Sequence, residues 1–294
     1  MLWQTSRFQI DLTRPHIMGI VNVTPDSFSD GGQFASGESA MAQCERLLRD
    51  GADILDIGGE STRPGAAPVP QEQELARVLP VLRHAVTLGV PVSVDTYKPA
   101  VMQAALDLGA DIVNDIWALR WQGDNRGLRG FEVLRAHPSC GVCLMHMHRE
   151  PQTMQTAPME GDVLPQVAAF LRATALQLQA QGVAASRICL DPGIGFGKTV
   201  QQNFALLARQ AELLPLGYPL LAGWSRKSSL AAVTHSAPAQ VTSMGVHARM
   251  VPSVAAALLA VQNGAAVVRV HDVAQTLQAL KVLAATQAAA SPST

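Results

Sequence analysis

Short apolar runs recur along the chain at residues 17–22, 53–58, 91–95, 111–115, 141–145, 187–191, 219–223 and 265–270. Each gives way to a polar or glycine-rich turn and then to a stretch with the apolar spacing of a helix. The helical stretches are 37–50, 71–88, 99–108, 130–136, 161–181, 200–214, 251–263 and 274–285, with 130–136 the weakest. Strands alternating with helices predict a parallel sheet. Eight such units predict an α/β fold closed into a (β/α)8 TIM barrel, a single domain. Gly51, Gly89, Gly109 and Gly264 stand just ahead of four of the runs, where a helix end leads into the next strand. The expected barrel covers residues 16–285. Residues 1–15 are expected to form an N-terminal extension or a plug at the barrel bottom, and 286–294 (TQAAASPST) a fraying tail.

Composition narrows the class. The 294 residues are 48% hydrophobic and 15% charged, enough apolar material for one large core. A net charge of -1 gives no reason to expect nucleic acid or an anionic membrane as partner. The longest apolar tract, 251–261, is interrupted by Pro252 and Ser253, and residues 1–15 hold no signal-like apolar run. A cytoplasmic protein is expected. Cys44, Cys140, Cys143 and Cys189 are too sparse for a disulfide framework and read as reduced core thiols.

What stands where each strand stops is the informative feature. The ends are Asn22; Gly58-Gly-Glu-Ser-Thr-Arg63; Asp95; Asn114-Asp115; His146; Asp191; Ser225-Arg-Lys227; and Arg269-Val-His271. A barrel gathers all eight around one mouth, where such enzymes do their chemistry. One polar strand end merely begins a loop, whereas eight converging ones predict a functional site. Asp95, Asn114 and Asp191 suit the N–H-rich edge of a heterocycle. Arg63, Lys227, Arg269 and His271 suit phosphate oxygens. Two glycine-containing loops, Thr24-Pro-Asp-Ser-Phe-Ser-Asp-Gly-Gly32 and Glu60-Ser-Thr-Arg-Pro-Gly65, carry Phe28 and Arg63 and are expected to close over that mouth.

Two other signals fail on spacing. Asp191-Pro-Gly-Ile-Gly-Phe-Gly-Lys198 encloses three residues between Gly193 and Gly197 where a nucleotide P-loop needs four. Its glycines are expected to let backbone pass a flat ligand, with Phe196 as a cover. Cys140-Gly-Val-Cys143 lies in a strand, so its thiols face opposite sides and cannot pair on zinc. His16, His84, His137, His235 and His247 are expected at the surface or in loops.

Long stretches resemble the dihydropteroate synthase family. They are Ile17-Met-Gly-Ile-Val-Asn-Val-Thr-Pro-Asp-Ser-Phe-Ser-Asp-Gly-Gly32 and Asp53-Ile-Leu-Asp-Ile-Gly-Gly-Glu-Ser-Thr-Arg-Pro-Gly65, then Asp191 to Lys198, Ser225-Arg-Lys227 and Arg269-Val-His-Asp272. The resemblance implies a transferase of folate biosynthesis that joins a pterin-methyl diphosphate to 4-aminobenzoate. It implies a pterin pocket of Asp95, Asn114, Met145, Asp191, Phe196 and Lys227, and a diphosphate site of Asn22, Thr62, Arg269 and His271. It further implies a 4-aminobenzoate site of Phe28, Thr62, Arg63, Pro64 and Ser228. Mg²⁺ would be held by Asn22, with Asp30 as a second candidate. Asp95, Asp191, Lys227 and Arg63 are the expected catalytic set, and a homodimer is implied. A pterin-dependent methyltransferase and a non-catalytic pterin-binding protein are the alternatives; the first would not need the two loops, and against the second stands the full set of diphosphate and ring residues. His148-Arg149, Trp224 and the 232–250 segment depart from the family pattern.

Overall fold

The computed structural model describes residues 1–23, 32–62, 65–123, 128–154, 156–234 and 249–290, with side chains of the first helix from residue 37. A short hairpin of β1 (Leu2–Gln4) and β2 (Gln9–Asp11) comes first. The barrel strands follow: β3 (His16–Asn22), β4 (Ile54–Gly58), β5 (Val92–Asp95), β6 (Ile112–Asp115), β7 (Gly141–Met145), β8 (Ile188–Asp191), β9 (Leu221–Ala222) and β10 (Val267–Val270). They pair in parallel in the order β8-β7-β6-β5-β4-β3-β10-β9. The ring closes where Leu190 N–H donates to Pro219 O at 2.9 Å and Leu190 bridges Leu220. Proline has no N–H to donate, which shortens β9 to two residues where five are expected from the sequence. The fold is the expected TIM barrel.

Outside lie α1 (Gly32–Arg49), α2 (Gln71–Ala85), α3 (Pro99–Asp107), α4 (Gly130–Ala136), α5 (Val163–Ala180), α6 (Val200–Ala208), α7 (Ser228–Thr234), α8 (Met250–Gln262) and α9 (Val273–Ala290). Three helical segments depart from expectation for reasons the residues supply. The stretch 200–214 breaks after Ala208 into a 3-10 turn, Gln210–Leu216, because Pro215 cannot continue an α-helix. Helix α7 went unread, since its seven residues are too few to show a period. The terminal helix runs on to Ala290 rather than fraying at 286. Alanine carries high helix propensity, and Thr286 Oγ1 returns a hydrogen bond to Val282 O at 2.9 Å. The four glycines ahead of strands have φ between 76° and 99°, as helix ends require.

Strand alternation sorts the side chains into two populations. Val21, Leu55, Val94, Val113, Leu144, Leu190 and Val268 point outward and fill the core between barrel and helices. Met18, Ile54, Ile112, Cys143, Cys189, Leu221 and Val267 point inward and form an apolar floor with Trp3 and Ile10 of the hairpin. Trp3 is fully buried, and its indole N–H donates to Arg187 O at 3.0 Å. Cys140 and Cys143 fall in the outer and inner clusters, and all four cysteines are free and buried. Two residues further along each strand, the same inward parity selects Asp56, Asn114, Met145, Asp191 and Arg269. An apolar floor beneath a polar storey places the site at the strands' C-terminal ends.

Candidate functional site at the barrel mouth

Arg269 is the centre of the polar storey. Its Nε donates to Asp56 at 2.5 Å and its Nη2 to Asp95 at 2.5 Å. Asn114 also donates its amide to Asp56, at 3.2 Å, so its carbonyl oxygen is left for other partners. The sequence divides the mouth into a ring-binding and an anion-binding half. The structure joins them, because Arg269 is already shared by two carboxylates. Asp56 was missed in the sequence, although an acid inside the run Ile-Leu-Asp-Ile-Gly carries a signal: its spacing from Ile54 puts it inward. Asp56 Oδ1 and Asp95 Oδ1 are buried with no hydrogen-bond partner. Two bare acceptors on neighbouring strands call for donors from a ligand. Burial pushes the Asp95 carboxyl up to about 7, against the pull of Arg269.

Asp191 is buried on the neighbouring arc and accepts the Gly193 N–H at 2.7 Å. Burial raises it, while that hydrogen bond and the positive charges of Lys227, Lys198 and Arg269 pull the other way. Lys227 holds its ammonium 4.3 Å from the centre of the Phe196 ring, and burial lowers it to about 8. Phe196 and Met145 are buried together with Ile116, Met147 and Met154. At the end of β10, His271 Nδ1 meets Ser225 Oγ at 2.9 Å, and the same hydroxyl accepts the His271 N–H at 3.1 Å. Ser225 opens the Ser225-Arg-Lys227 strand end but was given no role of its own in the sequence; its hydroxyl sets this imidazole. Asn22 and Thr62 are half-buried at the ends of β3 and β4, and Ser228 is exposed at the start of α7. Phe28, Asp30, Arg63 and Pro64 lie outside the described residues.

Several expectations change. Two of the glycines after Asp191 have a packing reason of their own. A Cβ on Gly193 would sit 1.7 Å from His146 O, and one on Gly197 2.7 Å from His148 O. They let one βα-loop press against the next. Gly193 also has φ 69°, so Gly193→Ala is expected to displace the loop and lower pterin affinity, which calorimetry would register as a rise in Kd. His146 does not face the mouth; its ring packs edge-on against Phe170 at 5.0 Å. His16 is buried under the barrel rather than exposed, with Nδ1 against Arg14 O at 3.0 Å. Trp224 is buried and turns outward onto Phe204 at 5.3 Å, so its bulk leaves the mouth unchanged. Arg226 is tied to Asp272 at 2.7 Å, and Arg249 and Ser253 hold its backbone.

A model of the pterin binding enzyme family matches residues 18–271. The dihydropteroate synthase of Neisseria meningitidis serogroup C is 49% identical over 283 residues, 95% of either chain. The chain belongs to the dihydropteroate synthase family. The Escherichia coli K12 dihydropteroate synthase is 43% identical over 95% of this chain and 94% of its own. The Xanthomonas albilineans dihydropteroate synthase with 4-aminobenzoic acid superposes with a TM-score of 0.85 at 45% identity, covering 97% of this chain and 96% of that one. The Burkholderia cenocepacia dihydropteroate synthase complexed with 7,8-dihydropteroate gives 0.84 at 47% identity, covering 98% and 97%. A chain of this family is a transferase. None of the helices among the described residues is long and apolar enough to cross a membrane.

Proposed function

We propose that the mouth binds a (7,8-dihydropterin-6-yl)methyl diphosphate and transfers its pterin-methyl group to 4-aminobenzoate, giving 7,8-dihydropteroate and diphosphate in folate biosynthesis. The observation that carries this is the pair of bare buried oxygens on Asp56 and Asp95 beside Asn114 and Asp191. A pterin edge is rich in N–H donors, and buried acceptors without partners are costly until such donors arrive. Asp95 and Asp191 would take the ring N–H groups, Asn114 would contribute its carbonyl oxygen, and Lys227 with Phe196 would cover the ring face. The C–O bond to diphosphate breaks, the aniline nitrogen bonds to the freed methylene carbon, and its proton leaves to solvent or diphosphate. Arg269 and His271 would hold the departing anion, and the carboxylates tolerate positive charge on the ring. Thr62 and Ser228 would line the second-substrate side with Phe28, Arg63 and Pro64. Such a site would hold the amine in line and keep water away.

Among the described residues no group of three or more His, Cys, Asp or Glu is placed to hold a metal ion. Mg²⁺ binds through few protein ligands and completes its shell with water and phosphate oxygens. The half-buried Asn22 at the end of β3 offers one such oxygen, and Asp30 is the second candidate. When bound, the ion would neutralise charge on the diphosphate. Binding of diphosphate is therefore expected to need Mg²⁺ and to weaken in Asn22→Ala. Tight Mg²⁺ binding to the ligand-free protein, unaffected by that substitution, would contradict the assignment.

A coupled diphosphate-release assay tests the reaction. Release must require both substrates; release without 4-aminobenzoate, or none with both, overturns it. A cytoplasmic location accords with four free, buried thiols. A homodimer accords with Val251 and Leu259 on α8, which are 71% and 47% exposed. Light scattering giving a monomer mass would refute the dimer.

A further inference from the structure

Lys198 ends the loop that follows Asp191, yet it is only 2% exposed. Its Nζ makes three contacts: His146 Nδ1 at 3.0 Å, Gly193 O at 2.8 Å and Phe196 O at 3.1 Å. An ammonium has three donors, and here each finds an acceptor. None of the three is a carboxylate. Burying a charge against neutral acceptors alone is expensive, and burial drives Lys198 down to about 7. Such a residue needs a reason to be where it is, and the identity of its partners supplies one. Gly193 is the residue whose N–H holds Asp191, and Phe196 is the ring over Lys227. The two carbonyls that Lys198 grips belong to the two residues that shape the pterin side of the mouth.

We propose that Lys198 is a positioning residue for ring binding, clamping the Gly193–Phe196 turn against His146 so that Asp191 and Phe196 are held ready for the pterin. This rests on the pterin reading of the mouth. The clamp needs His146 as an acceptor, so its Nδ1 must be bare and its proton must sit on Nε2. Burial and the charges of Lys198, Arg120 and His148 keep the imidazole neutral, down to about 2. Around Lys198 itself, Asp191 favours the ammonium and Lys227 opposes it. The clamp also carries charge: with Lys227 and Arg269, Lys198 favours the ionised form of Asp191.

Calorimetric titration with 6-hydroxymethylpterin from pH 5.5 to 8 tests this on the full chain and three variants. Lys198→Met keeps the stem and removes the donors. Its affinity is expected to fall at least about tenfold, with the acid limb of the binding profile moved to higher pH because Asp191 loses a neighbouring charge. The KM for 4-aminobenzoate should stay within about threefold, since the clamp does not touch that side. His146→Asn places an oxygen near the Nδ1 position and should retain most of the affinity, whereas His146→Leu should fall with Lys198→Met. Wild-type affinity and pH profile in Lys198→Met would overturn the proposal, as would equal losses in the Asn and Leu variants. If Lys198→Met fails to fold by circular dichroism, the His146 pair decides alone. Absence of pterin binding in the wild-type chain would instead sink the reading of the mouth itself.

Discussion

Asp95→Asn and Asp191→Asn will each weaken pterin binding by about 100-fold, on the order of 3 kcal/mol, while leaving the circular dichroism spectrum unchanged. In each case an acceptor-only carboxylate becomes an amide that can turn an NH2 toward the ring donors. Asp95 is the sharper case, because its Oδ1 is already buried and bare in the free protein. Its titration adds a signature. With the free carboxyl at about 7, acidification from pH 8 to 5.5 protonates Asp95 before any ligand arrives. The ligand binds the ionised form, so affinity should drop by up to about tenfold per pH unit below 7. That slope should flatten in Asp95→Asn. Near-wild-type affinity in both variants would end the pterin assignment, and a wild-type affinity that rises on acidification would end the role of Asp95 alone.

The barrel could be read from the sequence because its rules are local and periodic. Gly141–Met145 has the same bounds in sequence and structure, since a buried parallel strand is an unbroken apolar run with sharp ends. Asp95, Asn114, Asp191, Lys227, Arg269 and His271 were legible as strand ends. What was not legible depends on contacts between distant segments. That Arg269 would bind Asp56 and Asp95, 213 and 174 residues away, follows only from closure of the ring. The glycines at 193 and 197 were visible, but not that the backbone they approach is that of His146 and His148. The burial of Lys198 was not legible either, because nothing in a glycine-rich stretch reveals a turn folded back on its own lysine. Near Glu60, Lys98 is buried with Glu60 and Glu74 as ion partners, another group that a charge count cannot find. Strand parity carried further than was used: applied to Ile54-Leu-Asp56, it would have placed Asp56 on the inward side of the barrel with Ile54.

Arg269→Met is expected to cause the largest loss of stability of any single change at the mouth. Asp56 is wholly buried and Asp95 nearly so, at 0% and 9% side-chain exposure, and Arg269 is the cation hydrogen-bonded to both. Without it, two neighbouring carboxylates, each with a bare buried oxygen, lose the cation they share. Removing one partner of a buried pair costs about 3–5 kcal/mol, because the remaining charge cannot be rehydrated. The loss should depend on pH in a defined direction. Deprived of the arginine, the Asp95 carboxyl, which burial already raises, would titrate still further above its unfolded value of about 3.9. The native state then binds more protons than the unfolded chain, so stability falls as pH rises through this interval. Urea unfolding should show the full deficit at pH 8 and a smaller one at pH 5.5, where protonation relieves the repulsion. Arg269→Lys, which keeps a charge but not the two-pronged fork, should lose less at pH 8. A deficit that grows on acidification, or a variant as stable as wild type at pH 8, would show that Arg269 does not hold this pair of carboxylates together.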